Sequence, residues 1–250
     1  MEKECRKTAN DLHNIEVSLS PVLYPSRSLK SAHTAVAVDI LRATTAVCAA
    51  FSAGCESIVP LTTLEELVPY RAQGYLLAAE RGGKKLFDAE CGNSPTEYLT
   101  MDLHGKRLAY STTNGTRCML CATDAERTLI GSFSNISALA NTLAATPQDL
   151  VIICSGWEND FSLEDTLFAG ALIYKLILTG KYQVHNDAAT MALHYWNSLP
   201  CDCYTYCQQA THVHRLQGMG CEEDIRYAFQ MDTTTLVPEV KDGKLVVNIG

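Results

Sequence analysis

Residues 34–54, TAVAVDILRATTAVCAAFSAG, decide how the chain is read. Thr34–Asp39 is an apolar β-forming run ending in a carboxylate, and Arg42–Ala53 continues as a helix that Gly54 stops. A strand feeding directly into a helix is the building unit of a layered α/β fold. The pattern repeats outward. Ser57–Leu61 reads as a second strand. Thr63 and Glu66 have capping-box spacing for a helix that Pro69 shortens or kinks. Tyr75–Ala79 is a third strand, followed by the polar loop Glu80–Asn93, and Ser94 before Pro95 has the form of an N-cap with proline at the first helical position. Arg107–Ser111 and Thr128–Phe133 read as strands with a helix, Gly115–Ala122, between them. Asn135–Ala145 is helical, Leu150–Cys154 a strand and Glu164–Leu178 a long apolar helix. The alternation predicts an α/β/α sandwich on a largely parallel or mixed sheet.

The last third reads differently. Asp187–Leu199, Tyr204–Gln217 and Glu222–Gln230 are successive helices. A terminal hairpin comes after them, Leu236–Val240 to Leu245–Ile249, turned at Asp242-Gly243. We read 1–250 as one α/β unit with a helical C-terminal extension. A division near residue 180, into a core (14–180) and an extension with hairpin (181–250), is the alternative.

The chain has 250 residues, 47% hydrophobic and 19% charged, enough apolar material for a substantial core. Its formal net charge of −8 argues against general binding to nucleic acid or an anionic membrane. No apolar run is long enough to span a bilayer. Met1–Asn10 lacks the apolar core of a signal peptide, so a cytoplasmic location is expected. The oligomeric state stays open, with a homo-oligomer among the options. Eleven cysteines are then expected as reduced thiols. Cys118 with Cys121, and Cys201, Cys203 and Cys207, brush against zinc spacing, but the first pair falls in a helical apolar stretch and the second group lacks a paired C-x-x-C. Burial as small apolar side chains explains most of them better.

In open α/β sheets, ligands bind beyond the carboxyl ends of strands. Polar groups gather at such places here: Asp39 and Arg42; Glu80-Arg81-Gly82-Gly83; Phe87-Asp88 and Gly92-Asn93-Ser94-Pro95; Thr112-Thr113-Asn114-Gly115-Thr116; Gly131-Ser132 with Asn135; Cys154-Ser155-Gly156; and Glu164-Asp165. Carboxylates suit Mg²⁺, helix N-termini offer N–H groups to an anion, and Arg42 and Arg81 can neutralise anionic oxygens in a bidentate fashion. No Walker motif, G-x-G-x-x-G or G-x-S-x-G is present. Each residue also has a plainer explanation. Asp39 can cap the following helix, 111–116 can be a strand-to-helix turn, and Glu164 and Asp165 can complement a helix dipole. His212 and His214 read as surface or packed residues, and Cys154 as a buried thiol rather than a nucleophile.

Taken in order, Val38-Asp39-Ile40-Leu41-Arg42-Ala43-Thr44-Thr45 and the segments above, with Gly218–Asp224 and Val237-Pro238, resemble the 2-phosphosulfolactate phosphatases from about Val17 to the C-terminus. Ala89-Glu90-Cys91 before Gly92 lengthens the loop relative to the compact form expected of the family, and the cysteine-rich C-terminal third matches only loosely. The resemblance implies Mg²⁺-dependent hydrolysis of 2-phospho-3-sulfolactate to 3-sulfolactate and phosphate, a step in making coenzyme M. A substrate with three anionic groups calls for a metal, arginines and several N–H donors. Asp39 is expected as a metal ligand, with an aspartyl-phosphate nucleophile as the alternative. Glu80 and Asp88 are expected as further ligands, and Glu164 and Asp165 as the pair that orients water. Arg42 and Arg81 are expected on the phosphate or sulfonate. Asn93, Ser94, Thr113, Asn114, Gly115, Ser132 and Asn135 are expected to bind the small anionic phosphorylated substrate. The competing readings are a phosphatase for another small phosphorylated hydroxy acid and an anion-binding module without turnover.

Overall fold

A computed structural model of the chain describes residues 12–86, 88–157 and 160–247. Phe87 of the loop motif, Met1–Asn10, and Asn248 and Ile249 of the expected hairpin lie outside the described residues.

The strand that opens the reading, β2 (Thr34–Val38), is buried along its whole length. It is flanked in parallel by β7 (Arg127–Gly131) and β8 (Leu150–Cys154). Strands buried on both faces need no alternation, which explains the unbroken apolar runs. Beyond β8 lie β1 (His13–Ser18) and then β9 (Tyr182–Val184), both parallel. A second parallel group holds β3 (Ser57–Pro60), β6 (Arg107–Ser111) and β4 (Leu76–Arg81), edged by the short antiparallel β5 (Lys84–Lys85).

The terminal hairpin, β10 (Glu239–Lys241) and β11 (Lys244–Val246), turns at Asp242-Gly243, both at positive φ. It is not an appendage. It is wedged between the two groups, β10 antiparallel to β7 and β11 antiparallel to β3, giving one mixed sheet of eleven strands in the order β5-β4-β6-β3-β11-β10-β7-β2-β8-β1-β9.

Helices cover both faces. Ala35 and Ala37 of β2 face α1 (Ala43–Ser52), whose buried side includes Ala43, Ala46, Ala49 and Ala50, so helix and strand approach closely. The helices α3 (Pro95–Leu99) and α4 (Gly115–Leu120) share that core through Tyr98, Cys118 and Met119. Val36 and Val38 face the opposite layer, built on α5 (Ile136–Ala145) and α6 (Leu163–Leu178). The later helices pack into this same core: α7 (Asp187–Asn197), α8 (Cys203–Cys207), α9 (Thr211–Gln217) and α10 (Glu222–Ala228). A smaller cluster sits under a 3₁₀ turn (Glu65–Leu67) and α2 (Val68–Ala72). No helix among the described residues is long and apolar enough to cross a membrane.

Four local readings change. β1 is not among the expected strands: its apolar face is only Ile15 and Val17, alternating with Asn14, Glu16 and Ser18, and Glu16 puts a charge on a second face that is also buried. The Glu16 carboxylate is fully buried and accepts the Ser28 hydroxyl and the amides of Ser28 (3.2 Å) and Leu29 (3.3 Å). Nor is β9, only three residues long, among the expected strands. The expected helix Tyr204–Gln217 is two, because the chain breaks at Gln208–Ala210 and Asp202 caps the first by accepting from Thr205 N at 2.9 Å. Glu66 does form the reciprocal cap with Thr63, its Oε2 accepting Thr63 N at 2.9 Å. The helix expected after this cap shrinks to the 3₁₀ turn and the five-residue α2 that contains Pro69.

Candidate active site

The C-terminal ends of both strand groups feed one cleft of about 480 Å³. From the β2 side come Asp39 and Arg42. From β4 and β6 come Glu80, Thr112, Thr113 and Asn114, with Asn93 from the loop before α3. The lining is completed by Trp157, from the β8–α6 connection, and by His212, Arg215 and Leu216 of α9.

Asp39 is buried. Its Oδ1 accepts Ala43 N at 3.2 Å, so it does cap α1, while Thr44 Oγ1 holds its own amide at 3.0 Å. Burial pushes its carboxyl up to about 6, and the charge of Glu80 adds to this against the Ala43 amide, His212 and Ser155. Gly115 lies against it: a Cβ there would come within 2.6 Å of Asp39 Oδ2 and 2.2 Å of the Ala43 Cβ. Only glycine lets α4 close over this carboxylate.

Asp165 lies deeper. Its Oδ1 accepts Ile40 N at 2.8 Å, and Oδ2 accepts Gly156 N at 3.2 Å and the Ser155 hydroxyl at 3.3 Å. It thereby ties the turn after β2 to the turn after β8. Burial, then the charges of Glu164 and Asp39, hold its carboxyl well above the usual range despite these donors. Glu80 accepts the Gly83 amide, Thr113 Oγ1 at 3.2 Å and Thr113 N at 3.4 Å, which fixes two loops around its carboxylate.

Arg42 lines the cleft with its guanidinium clamped. Nη1 donates to Asp224 Oδ2 at 2.6 Å and Nη2 to the Gly83 carbonyl at 2.8 Å. Asp224 is itself buried, its Oδ1 accepting Ser94 Oγ and Thr96 Oγ1, each at 2.6 Å. Ser94 therefore serves twice, capping α3 through Glu97 N and holding Asp224. Asn93 Oδ1 accepts the Tyr110 hydroxyl. Asn114 begins α4 without a side-chain capping bond.

Other expected site residues lie elsewhere. Arg81 does not line the cleft: its guanidinium donates to Ser111 Oγ at 2.8 Å and to the Glu80 carbonyl at 2.6 Å. Asp88 is exposed in a separate depression formed with Leu64, Leu77 and Leu86. Ser132 and Asn135 are fully buried as a capping box. Ser132 Oγ meets Thr45 Oγ1 at 3.0 Å, and Asn135 Nδ2 donates to the carbonyls of Ile130 and Leu236, both at 3.1 Å. Glu164 does not line the cleft but stands behind His212, its Oε1 3.0 Å from His212 Nδ1.

Trp157, His212 and Arg215 line the cleft without being expected there, since nothing in their local sequence marks them. Asp224, in the Gly218–Asp224 segment of the resemblance, does not line the cleft but holds Arg42, which does. The return of α9 and α10 to the strand ends brings His212, Arg215 and Asp224 into place.

The oxygen donors bear on the expected metal. Asp39 and Glu80 share the cleft, and Asp88 does not join them. Among the described residues no three His, Cys, Asp or Glu side chains are grouped to hold a metal ion on their own. Two carboxylates still fit Mg²⁺, which usually keeps several waters and takes its remaining ligands from substrate phosphate. Burial raises the Asp39 carboxyl and the neighbouring Glu80 charge adds to this, so a cation between the two carboxylates would relieve both effects.

The model of the 2-phosphosulpholactate phosphatase family matches residues 19–243. The chain is 31% identical over 221 residues to a probable 2-phosphosulfolactate phosphatase of Caldanaerobacter subterraneus, covering 87% of this chain and 91% of that protein. It is 34% identical over 227 residues to one of a Cyanothece species, with 87% and 93% covered, and 35% identical over 213 residues to one of Trichormus variabilis, with 82% and 87% covered. Matches of this extent, spanning every strand end around the cleft, show that the chain belongs to the 2-phosphosulfolactate phosphatases, a family of phosphoric monoester hydrolases.

Proposed function

We propose that this chain hydrolyses 2-phospho-3-sulfolactate to 3-sulfolactate and phosphate with Mg²⁺ as cofactor, the step expected in coenzyme M synthesis. The observation that carries the reading is the convergence of two carboxylates, Asp39 and Glu80, with the clamped guanidinium of Arg42 and the cationic side chain of Arg215 in one small cleft. Phosphoryl transfer needs charge neutralisation and positioning more than covalent chemistry from the protein.

Asp39 and Glu80 are our Mg²⁺ ligands, and bound there the ion supplies charge neutralisation at the phosphoryl oxygens. Arg42, unable to swing away from Asp224 and Gly83, presents a fixed cation to one anionic group of the substrate. Arg215, whose guanidinium lies beside Gly83, supplies a second. Thr113, Asn114 and Asn93 offer hydrogen bonds around them. Asp165 and Gly115 act by position, the first tying the turns after β2 and β8 together and the second admitting α4 against Asp39. Arg81, Ser132 and Asn135 support the loops rather than the substrate, since their polar atoms bond within the fold.

The test is phosphate release from phosphosulfolactate beside a panel of other phosphorylated hydroxy acids, with Mg²⁺ and after exhaustive chelation. We expect release only with the metal and fastest from phosphosulfolactate. Undiminished turnover after chelation removes Mg²⁺ from the reading. Tight sulfolactate binding without any release turns it into an anion-binding module.

A further inference from the structure

We propose that His212 is the general acid that protonates the leaving alcohol, with Glu164 as the residue that positions it. The assignment rests on the reading of the chain as a phosphate monoester hydrolase. Two contacts hold the imidazole. Its Nδ1 lies 3.0 Å from Glu164 Oε1, and its ring stacks on Trp157 with centroids 6.2 Å apart and planes 23° from parallel. A carboxylate only accepts hydrogen bonds, so Nδ1 carries a proton towards Glu164. That leaves Nε2 for the cleft, which His212 lines together with Asp39 and Arg42.

The setting of Glu164 separates this pair from an ordinary surface contact. Its side chain is only 2% exposed and that of His212 14%. Its second oxygen, Oε2, is buried with no hydrogen-bond partner among the described residues. Glu164 also lines a second cavity of about 800 Å³, together with Trp157, Tyr195 and Tyr206. His212 belongs to both cavities, so the pair forms the partition between them. A buried carboxylate bonded to one ring nitrogen fixes the tautomer and the orientation of the ring.

The alkoxide of a hydroxy acid is a poor leaving group, and a positioned acid is worth most there. In the step, water attacks phosphorus and a P–O bond forms. The P–O bond to the substrate carbon chain breaks, and its electron pair takes the Nε2 proton of the imidazolium to give the alcohol. One hydrogen of the attacking water leaves on hydrogen phosphate, and the other returns as a proton to Nε2. Atoms and charge balance with no further reactant.

The experiment compares wild type with His212→Asn and Glu164→Gln on two substrates, an alkyl phosphate monoester (phosphosulfolactate, or a simpler one) and p-nitrophenyl phosphate, whose leaving group needs no protonation. We expect His212→Asn to lower kcat about 100-fold or more on the alkyl ester and less than about 5-fold on the aryl ester, with KM nearly unchanged on both. Glu164→Gln, which keeps an oxygen for Nδ1, should show the same split more weakly, about 10-fold, and stands in if His212→Asn does not fold. Equal losses on both esters, or none on the alkyl ester, overturn the assignment while leaving the phosphatase reading intact. A wild type that releases phosphate from neither ester sinks that reading and the assignment with it.

Discussion

Arg42 and Asp224, 182 positions apart, meet at 2.6 Å with both side chains withdrawn from solvent. The pair joins the N-cap of α1 to α10 and holds the C-terminal helices over the cleft. Removing only one partner strands a buried charge. Arg42→Ala should therefore destabilise the fold by about 3–5 kcal/mol as well as weaken substrate binding. Arg42→Met combined with Asp224→Asn should recover most of the stability but none of the activity. Denaturant unfolding with kcat/KM on the same samples separates the two effects, and a stable, fully active Arg42→Ala removes this residue from the site.

Asp39 should trade stability for function. Its carboxyl is raised from 3.8 to about 6, so between those values the native chain binds more protons than the unfolded one, and stability falls as pH rises through that window. The buried carboxyl of Asp165 acts in the same direction. Without metal, the Tm should climb as pH is lowered from 7 to 5. Asp39→Asn should flatten that slope and gain up to about 3 kcal/mol at neutral pH, while abolishing turnover. A variant with a wild-type rate would show that Asp39 only caps α1.

Gly115→Ala should be severe for so small a change. The added methyl would come within 2.2 Å of the Ala43 Cβ and 2.6 Å of Asp39 Oδ2, so either α4 or α1 has to shift. We expect a loss of about 1–3 kcal/mol and a larger proportional loss of kcat. A variant with normal kinetics would mean that the α4–Asp39 contact is unimportant to turnover.

Thiol chemistry should pass the site by. Cys48, Cys118 and Cys154 are fully buried, and burial pushes their thiols up, Cys48 to about 12. Among the described cysteines Cys201 is exposed. Mild alkylation followed by mass spectrometry should label Cys201 first and leave activity intact. Protection of Cys154 by substrate, with loss of activity on its labelling, would reopen it as a nucleophile.

The legible parts of this protein are the local ones. The β2–α1 unit, the Ser94-Pro95 helix start and the Thr63–Glu66 cap each depend on residues within a turn or two of one another. β1 is hard to read because Glu16, on the face opposite Ile15 and Val17, is buried as well, and the groups that make this burial tolerable, among them Ser28 and Leu29, lie outside the strand. The hairpin reads as a hairpin, but its place mid-sheet depends on pairings such as Leu245 with Ile58 that no local pattern encodes. The site divides in the same way. Asp39, Arg42, Glu80, Thr113 and Asn114 stand at strand ends, where the sequence points to them. Arg81 and Asp88 stand at similar chain positions, yet their side chains turn elsewhere. His212 reaches the cleft, and Asp224 reaches Arg42, only through the packing of α9 and α10.

The wedged hairpin sets the order in which this chain can be completed during synthesis. β7 has no partner on one side, and β3 none on the other, until residues 239–246 have left the ribosome. Nearly all of the polypeptide must then wait with two open strand edges, the exposure that invites pairing with other chains. Truncation just before Glu239 should accordingly yield aggregated rather than merely inactive protein. Closure of the sheet, an event of high contact order, should be slow relative to formation of the β2–α1 unit.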